Sequence, residues 1–184
     1  EGVLDVYEAV FAQIPDPRLR LVLYHIPQVT GVALNDSVLT ALMQKYGPQI
    51  LGIKDSGCDR AASVARARTY MPPSQVWVGN EPDLQTLASM GSVGAISGLG
   101  NMVPGLVMRL IEGSDQAQRD QAQVTRLLEV LGGYALIPAL KGLMAFLDQD
   151  PDWLHVRAPL RALSSEAWQA LQDKSQGLDL PSLA

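Results

Sequence analysis

Cysteine occurs once in the 184 residues, as Cys58. An internal disulfide framework is therefore excluded, and the composition suits a reducing cytosol. Histidine occurs twice, at His25 and His155, far apart and without metal-ligand spacing, so the expectation is no metal site. Charged residues make up 18% of the chain, and the net charge is −5 with no cluster of Lys or Arg. Nucleic acid and anionic membrane are poor partners for such a chain. No apolar run approaches the length of a membrane span, and the opening Glu1-Gly2-Val3-Leu4-Asp5 is not a signal peptide. Low-complexity segments and long linkers are lacking as well. A cytoplasmic location is the expectation.

What is present is core material. Hydrophobic residues make up 47% of the sequence, enough for a sizeable interior and too much for general disorder. Val3, Val6, Tyr7, Val10, Phe11 and Ile14 recur at helical spacing and predict an amphipathic helix over residues 3–13, stopped by Pro15-Asp16-Pro17. Residues 19–24 read as a strand ended by His25-Ile26-Pro27. Asn35 or Asp36 caps a helix running to about Tyr46, closed by Gly47-Pro48. Ile50, Leu51 and Ile53 form a short apolar run ending at Lys54, which suits a strand buried on both faces.

A helix over residues 59–70, broken by Pro72-Pro73, is followed by a strand over 75–78 with Gly79-Asn80-Glu81-Pro82 as its exit loop. Pro82 opens a helix to about Met90. Gly94-Ala95-Ile96-Ser97 is a short strand, and Pro104 begins a helix to Glu112. Strand and helix thus alternate four times, at spacings of roughly 20–30 residues. The pattern predicts right-handed parallel units, in a barrel or in a doubly wound sheet. Beyond residue 114, helical periodicity over 115–131, 138–147 and 164–174 predicts an all-helical tail.

Polar or reactive residues recur at the predicted strand exits: Tyr24, Lys54, Gly79-Asn80-Glu81 and Ser97. In parallel sheets these exits share one end and face one mouth. A lysine at the end of a core strand needs a reason. Held in apolar surroundings it can lose its proton near neutral pH and attack a carbonyl to form a Schiff base. The alternative is a lysine that snorkels to solvent or pairs with Asp55. Tyr24 is either a proton relay or a buried aromatic with a satisfied hydroxyl. Glu81 either binds substrate hydroxyls or favourably charges a helix N-terminus. Ser97 either binds substrate or closes a loop. Cys58 as a nucleophile lacks a supporting histidine. Gly98-Leu99-Gly100-Asn101 is neither a P-loop nor a dinucleotide fingerprint. Arg60, Arg66 and Arg68 fit a solvated helix face.

Taken as an ordered set, Tyr24-His25-Ile26-Pro27 with Thr30-Gly31, Gly52-Ile53-Lys54-Asp55-Ser56, Gly79-Asn80-Glu81, and Gly94-Ala95-Ile96-Ser97 with Asn101 and Pro104 resemble the dihydrodipicolinate synthase/N-acetylneuraminate lyase family of pyruvate-handling aldolases. Ile137-Pro138-Ala139-Leu140-Lys141 and Arg157-Ala158-Pro159-Leu160 extend the resemblance through the tail. The resemblance implies an α/β fold, a (β/α)8 TIM barrel with a C-terminal helical extension. Residues 1–113 would supply its last four β/α units and residues 114–184 the extension. It implies that Lys54 attacks the ketone of pyruvate or another 2-oxo acid and that Tyr24 shuttles the proton. It further implies that the Ile96 carbonyl places the adduct, that Glu81 and Ser97 face the variable end of the substrate, and that Gly79 and Asn80, in the same loop as Glu81, bind substrate as well. The covalent lysine imine needs no cofactor and no metal. An aldehyde partner and a homotetramer are implied too.

Two departures qualify the resemblance. Val29 stands where dihydrodipicolinate synthases carry an arginine for a substrate carboxylate, and valine cannot make that ion pair. This favours a keto-deoxy-sugar-acid or 4-hydroxy-2-oxoglutarate type of aldolase over lysine biosynthesis. In addition, a β/α barrel needs roughly 250 residues and eight strands. The family's Gly-Thr-Thr-type loop and a second tyrosine are both absent. The expectation is the C-terminal part of a longer protein, with a non-catalytic ligand-binding or assembly barrel as the alternative from another functional class.

Overall fold

The computed structural model of the protein describes residues 1–71 and 75–178. Pro72 and Pro73, taken above as a helix breaker, lie outside the described residues. The chain forms two compact units, Glu1–Ile96 and a second from Ser97 onward.

The first unit opens with α1 (Gly2–Gln13), followed by β1 (Leu21–His25), a short α2 (Pro27–Thr30) and α3 (Asp36–Tyr46). Strand β2 (Ile50–Asp55), helix α4 (Arg60–Tyr70), strand β3 (Gln75–Val78), helix α5 (Leu84–Ala88) and strand β4 (Gly94–Ala95) complete it. The predicted cap forms at Asn35, whose Oδ1 accepts from the Val38 amide at 3.0 Å, and Asp59 caps α4 in the same way, its Oδ1 accepting from the Ala62 amide at 3.0 Å. Each satisfies one of the amides that a helix start leaves without an internal partner. The helix predicted from Pro82 begins instead as a 3-10 turn over Glu81–Asp83, and α5 follows it. Pro82 lacks an N–H, which suits a first turn of either kind.

The four strands form one parallel sheet in the order β1-β2-β3-β4. That order has no switch point of the kind a doubly wound sheet needs. The core of this unit lies between the sheet and its helices, where Leu23, Leu39, Leu42 and Ile53 are fully buried. Each such side chain contributes about 1.5–3 kcal/mol. Phe11 stacks on Tyr46 at 3.8 Å between centroids and ties α1 to α3.

The second unit carries α6 (Pro104–Glu112), α7 (Ala117–Leu131), α8 (Leu136–Leu147) and α9 (Ser165–Ser175). Its core includes Leu106, Leu110, Val124, Leu127, Leu143 and Leu171. The helices predicted over 115–131, 138–147 and 164–174 are present as α7, α8 and α9, and Trp168 Nε1 donates to Gly142 O at 2.8 Å to join α9 to α8. No single helix among the described residues is long and apolar enough to cross a membrane.

The end of β2 is where sequence reading and structure part. Arg66 does not lie on a solvated helix face. Its side chain is 9% exposed and forms an ion pair with the Asp55 carboxylate, itself 1% exposed. Helix α4 thereby returns a cation beneath the strand that precedes it. Asp55 Oδ1 also accepts from the Gly57 amide at 3.0 Å. His25, buried beside them, accepts from the Leu34 amide at Nδ1, 3.2 Å away, so its neutral ring carries the proton on Nε2. Burial and then the Arg66 charge hold the imidazole below its ordinary 6.5. A side chain at Gly57 would stand 2.7 Å from the His25 ring, so the turn passes this cluster only with glycine.

Removing one partner of a buried pair leaves an uncompensated charge. Arg66→Met should cost roughly 3–5 kcal/mol, read from the urea unfolding midpoint. Adding Asp55→Asn to that variant should recover part of the loss.

Candidate active site

Side chains alternate across a strand, and parallel register partners share a face. Tyr24 pairs with Lys54, and Lys54 with Trp77, while His25 pairs with Asp55 and Asp55 with Val78. The last residues of β1 and β2 therefore split by face. His25 and Asp55 go to the buried, helix-packed side. Tyr24 and Lys54 go to the other, where Tyr24 is 40% exposed and Lys54 partly buried. This settles one open alternative. Lys54 is not the partner of Asp55, because Asp55 points to the opposite face and is held by Arg66.

The Lys54 amine stacks on the Tyr24 ring, with Nζ 3.9 Å from its centroid. A cation over a phenol face is attracted by the ring quadrupole. Partial burial pushes the Tyr24 phenol up. The nearby polar hydrogens of Lys54 and Ser56, with the Lys54 charge, outweigh that push and the opposing Glu81 charge, so the phenol titrates below its ordinary 10.0. Ser56 Oγ itself is fully buried and makes no hydrogen bond of ordinary geometry. A buried hydroxyl without a partner costs free energy unless something else uses it.

Gly79 makes this arrangement possible. A Cβ there would lie 2.0 Å from Ser56 Oγ and 3.1 Å from Lys54 Cε, and the Gly79 amide donates to Asp55 O at 2.7 Å. The loop from β3 thus closes over the end of β2 only because it has no side chain at this point.

The rest of that loop is braced from within. Asn80 Nδ2 donates to Asp83 Oδ2 at 2.7 Å, and Asn80 Oδ1 accepts from Cys58 Sγ at 3.4 Å. Asp83, buried, pairs with Arg60 Nε at 2.7 Å. Both ends of the Asn80 amide are therefore engaged inside the protein. Glu81, partly buried, sits at the first position of the 3-10 turn, within electrostatic reach of Tyr24. The Ile96 amide donates to Val78 O at 3.0 Å, one residue past β4. Ser97 opens the second unit, where its hydroxyl accepts from the Leu99 amide at 3.1 Å.

Cys58 is a weak nucleophile here. Ser56 O, 3.5 Å from its Sγ, is a second acceptor for the same single S–H, and burial together with Asp83, Glu81 and Asp55 pushes the thiol up. Among the described residues, no group of three or more His, Cys, Asp or Glu is placed to hold a metal ion. A groove of about 560 Å³ lined by Met43, Pro48, Ile50 and Tyr70 lies at the entry end of β2, away from Lys54, and brings no reactive groups together.

Ser56 and Trp77 stand at this face without an assignment from sequence. For Trp77 the signal was the period-2 alternation of β3, which puts Val76 and Val78 in the core and Trp77 opposite them. For Ser56 there was none, because its burial depends on a loop that arrives from the next strand.

The family model described as the dihydrodipicolinate synthetase family matches residues 1–176. A relative from Chloroflexus aurantiacus named "Uncharacterized DapA-like lyase" is 30% identical over 93% of this chain and 57% of its own length. An Emericella nidulans protein named "Probable 4-hydroxy-2-oxoglutarate aldolase, mitochondrial" is 30% identical over 97% of this chain and 58% of its own. The crystal structure of dihydrodipicolinate synthase from Agrobacterium tumefaciens superposes with a TM-score of 0.85 at 28% identity, covering 97% of this chain and 60% of that one. A Ruminococcus gnavus sialic acid aldolase shares the fold, with a TM-score of 0.78 at 20% identity. The chain spans less than two thirds of the length of each. With ordered motifs, parallel sheet and family model in agreement, the chain belongs to the dihydrodipicolinate synthetase family.

Proposed function

We propose that the complete protein is a Schiff-base lyase that makes or breaks a carbon–carbon bond in a 2-oxo acid, with pyruvate as donor or product. One observation carries the proposal: Lys54 and Tyr24 lie together at adjacent strand exits, amine over phenol, on the face opposite the buried ion pair. The four strands serve as one arc of a (β/α)8 barrel. The exposure of Val22, Tyr24 and Ile96 on the sheet face that carries Lys54 supports this, since a closed barrel would turn that face inward. Residues 1–113 then belong to the barrel and residues 114–184 to the helical extension. The assembly is proposed as a homotetramer in the cytoplasm.

Once it has given up its proton, the Lys54 amine adds to the C2 carbonyl of the oxo acid, forming a C–N bond. Tyr24 passes a proton to the carbinolamine oxygen, which leaves as water, and a protonated imine remains. In a 4-hydroxy-2-oxo acid the C3–C4 bond then breaks. Its electron pair moves into the imine to give an enamine, the Tyr24 phenolate left by the first step takes the C4 hydroxyl proton, and an aldehyde departs. Protonation at C3 and hydrolysis release pyruvate and restore the lysine. A phenol held below its ordinary pKa, over the amine it serves, suits the relay. The Ile96 carbonyl is assigned to holding the adduct, and Glu81 and Ser97 to the variable end of the substrate. Gly79 and Asn80 are assigned to binding substrate in the same loop, where contacts to Asp83 and Cys58 hold the Asn80 amide in place. The aldol reading of a hydroxy-oxo acid is preferred to dihydrodipicolinate synthesis because Val29, 74% exposed on α2, offers no charge to a carboxylate.

Borohydride reduction in the presence of pyruvate should add a pyruvyl mass to Lys54, located by peptide mass analysis. Lys54→Arg should abolish that mass, and trapping at another lysine would reject the assignment. Tyr24→Phe should lower turnover by about 10²–10⁴-fold while weakening pyruvate binding much less. Ultraviolet titration should show one phenol ionising below the others. That step should vanish in Tyr24→Phe and move upward in Lys54→Met, which removes the neighbouring charge.

A further inference from the structure

The row across the sheet at the height of the reactive amine reads Tyr24, Lys54, Trp77, Gly94 by strand register. All four share a face, so the amine stands between two aromatic neighbours and, beyond the second, a position with no side chain. Neighbouring strands lie about 4.8 Å apart, which puts the indole within reach of anything bonded to Nζ. The two aromatics are not equivalent. Tyr24 is taken up by the amine, which lies 3.9 Å over its ring. Trp77 is half-buried, and its indole N–H has no hydrogen-bond partner among the described residues. The other two tryptophans differ in this respect. Trp153 Nε1 donates to Asp148 Oδ2 at 2.9 Å, and Trp168 Nε1 to Gly142 O at 2.8 Å. A partly buried tryptophan ordinarily finds such a partner, so an unpaired one beside a reactive amine has a donor and a flat apolar face to offer a ligand.

Space on the two sides of the amine is divided accordingly. The phenol side holds the proton carrier, where the departing carbonyl oxygen must go. The carbon chain of the adduct has the other side, where the indole forms a wall and Gly94 leaves room, with nothing within 4 Å of the position a Cβ would take.

We infer that Trp77 is a specificity-determining residue of this site: its indole packs along the carbon chain of the oxo acid joined to Lys54 and restricts the site to short-chain 2-oxo acids. The inference rests on the Schiff-base reading of Lys54. It adds the substrate class, a chain whose atoms beyond C3 are few or slender enough to lie between the indole and the strand that carries Gly94.

The test uses straight-chain 2-oxo acids of increasing length, from pyruvate to 2-oxohexanoate, each reduced with borohydride on the complete protein. The ketone and the ε-amine give an imine and water, and borohydride delivers hydride to the imine carbon, so the mass added to Lys54 counts the imine formed. The wild-type protein should trap pyruvate best, with a yield that falls as methylenes are added. Trp77→Leu should raise the ratio of 2-oxohexanoate to pyruvate trapping about 10-fold or more, the discrimination a packed apolar wall exerts on chain length. Trp77→Phe should raise it less. An unchanged ratio with pyruvate trapping retained would overturn the role of Trp77 and leave the Schiff-base reading standing. No trapping at Lys54 in the wild type would overturn both.

A second measurement leaves Trp77 in place. In a protein with Trp153→Phe and Trp168→Phe, the emission of Trp77 should change when pyruvate is trapped, and Lys54→Arg should remove the change. Emission that stays constant while the adduct mass appears would overturn the inference.

Discussion

The buried ion pair between Asp55 and Arg66 sets the geometry on which the site depends. A carboxylate taken into a protein interior loses several kcal/mol of hydration, which only a well-placed cation and further donors offset. Arg66 and the Gly57 amide supply them. Because successive residues of a strand face opposite ways, anchoring Asp55 beneath the sheet commits Lys54 to the other side. The charge of the acid is taken up before the amine can use it. The lysine is left with a phenol face instead of a carboxylate.

Such an arrangement separates holding from reacting. The helix-packed side of β1 and β2 carries the groups that hold the strand ends: neutral His25, Asp55, Arg66 and the glycine turn that passes them. The open side carries the groups that can act. A second brace, Arg60–Asp83–Asn80, fixes the loop after β3, so that Gly79 can close over β2 without touching Ser56. Preorganised sites are built this way, with rigid strand ends aimed by interactions on the far face. It also explains how a site of few residues presents an aromatic on either side of its amine. Strand register alone brings Tyr24 and Trp77 to the same height as Lys54.

Much of this was legible in the residues. The helix over residues 3–13, the cap at Asn35, the strand ending at Lys54 and the three tail helices follow from periodicity, capping chemistry and proline placement. These are local signals. The ordered motifs from Tyr24 to Pro104 carried the family, because each marks a strand exit and the exits of a parallel sheet meet at one end. What failed was any judgement that needed a partner distant in the chain. Arg66, 11 residues from Asp55, reads as surface on its own helix.

By itself, then, the order of residues determined the kind of elements, their parallel succession, and the candidacy of Lys54 and Tyr24, since hydrophobic period and turn chemistry act over a few residues. Only the tertiary structure decided which carboxylate the lysine lacks, which arginine is buried and why Gly79 must be glycine. It also decided that Ser56 lies buried beneath the loop that follows β3 and that Trp77 stands beside Lys54 in register. Those facts depend on strand register and on side chains brought together from separate elements, and no local pattern encodes a distance between them.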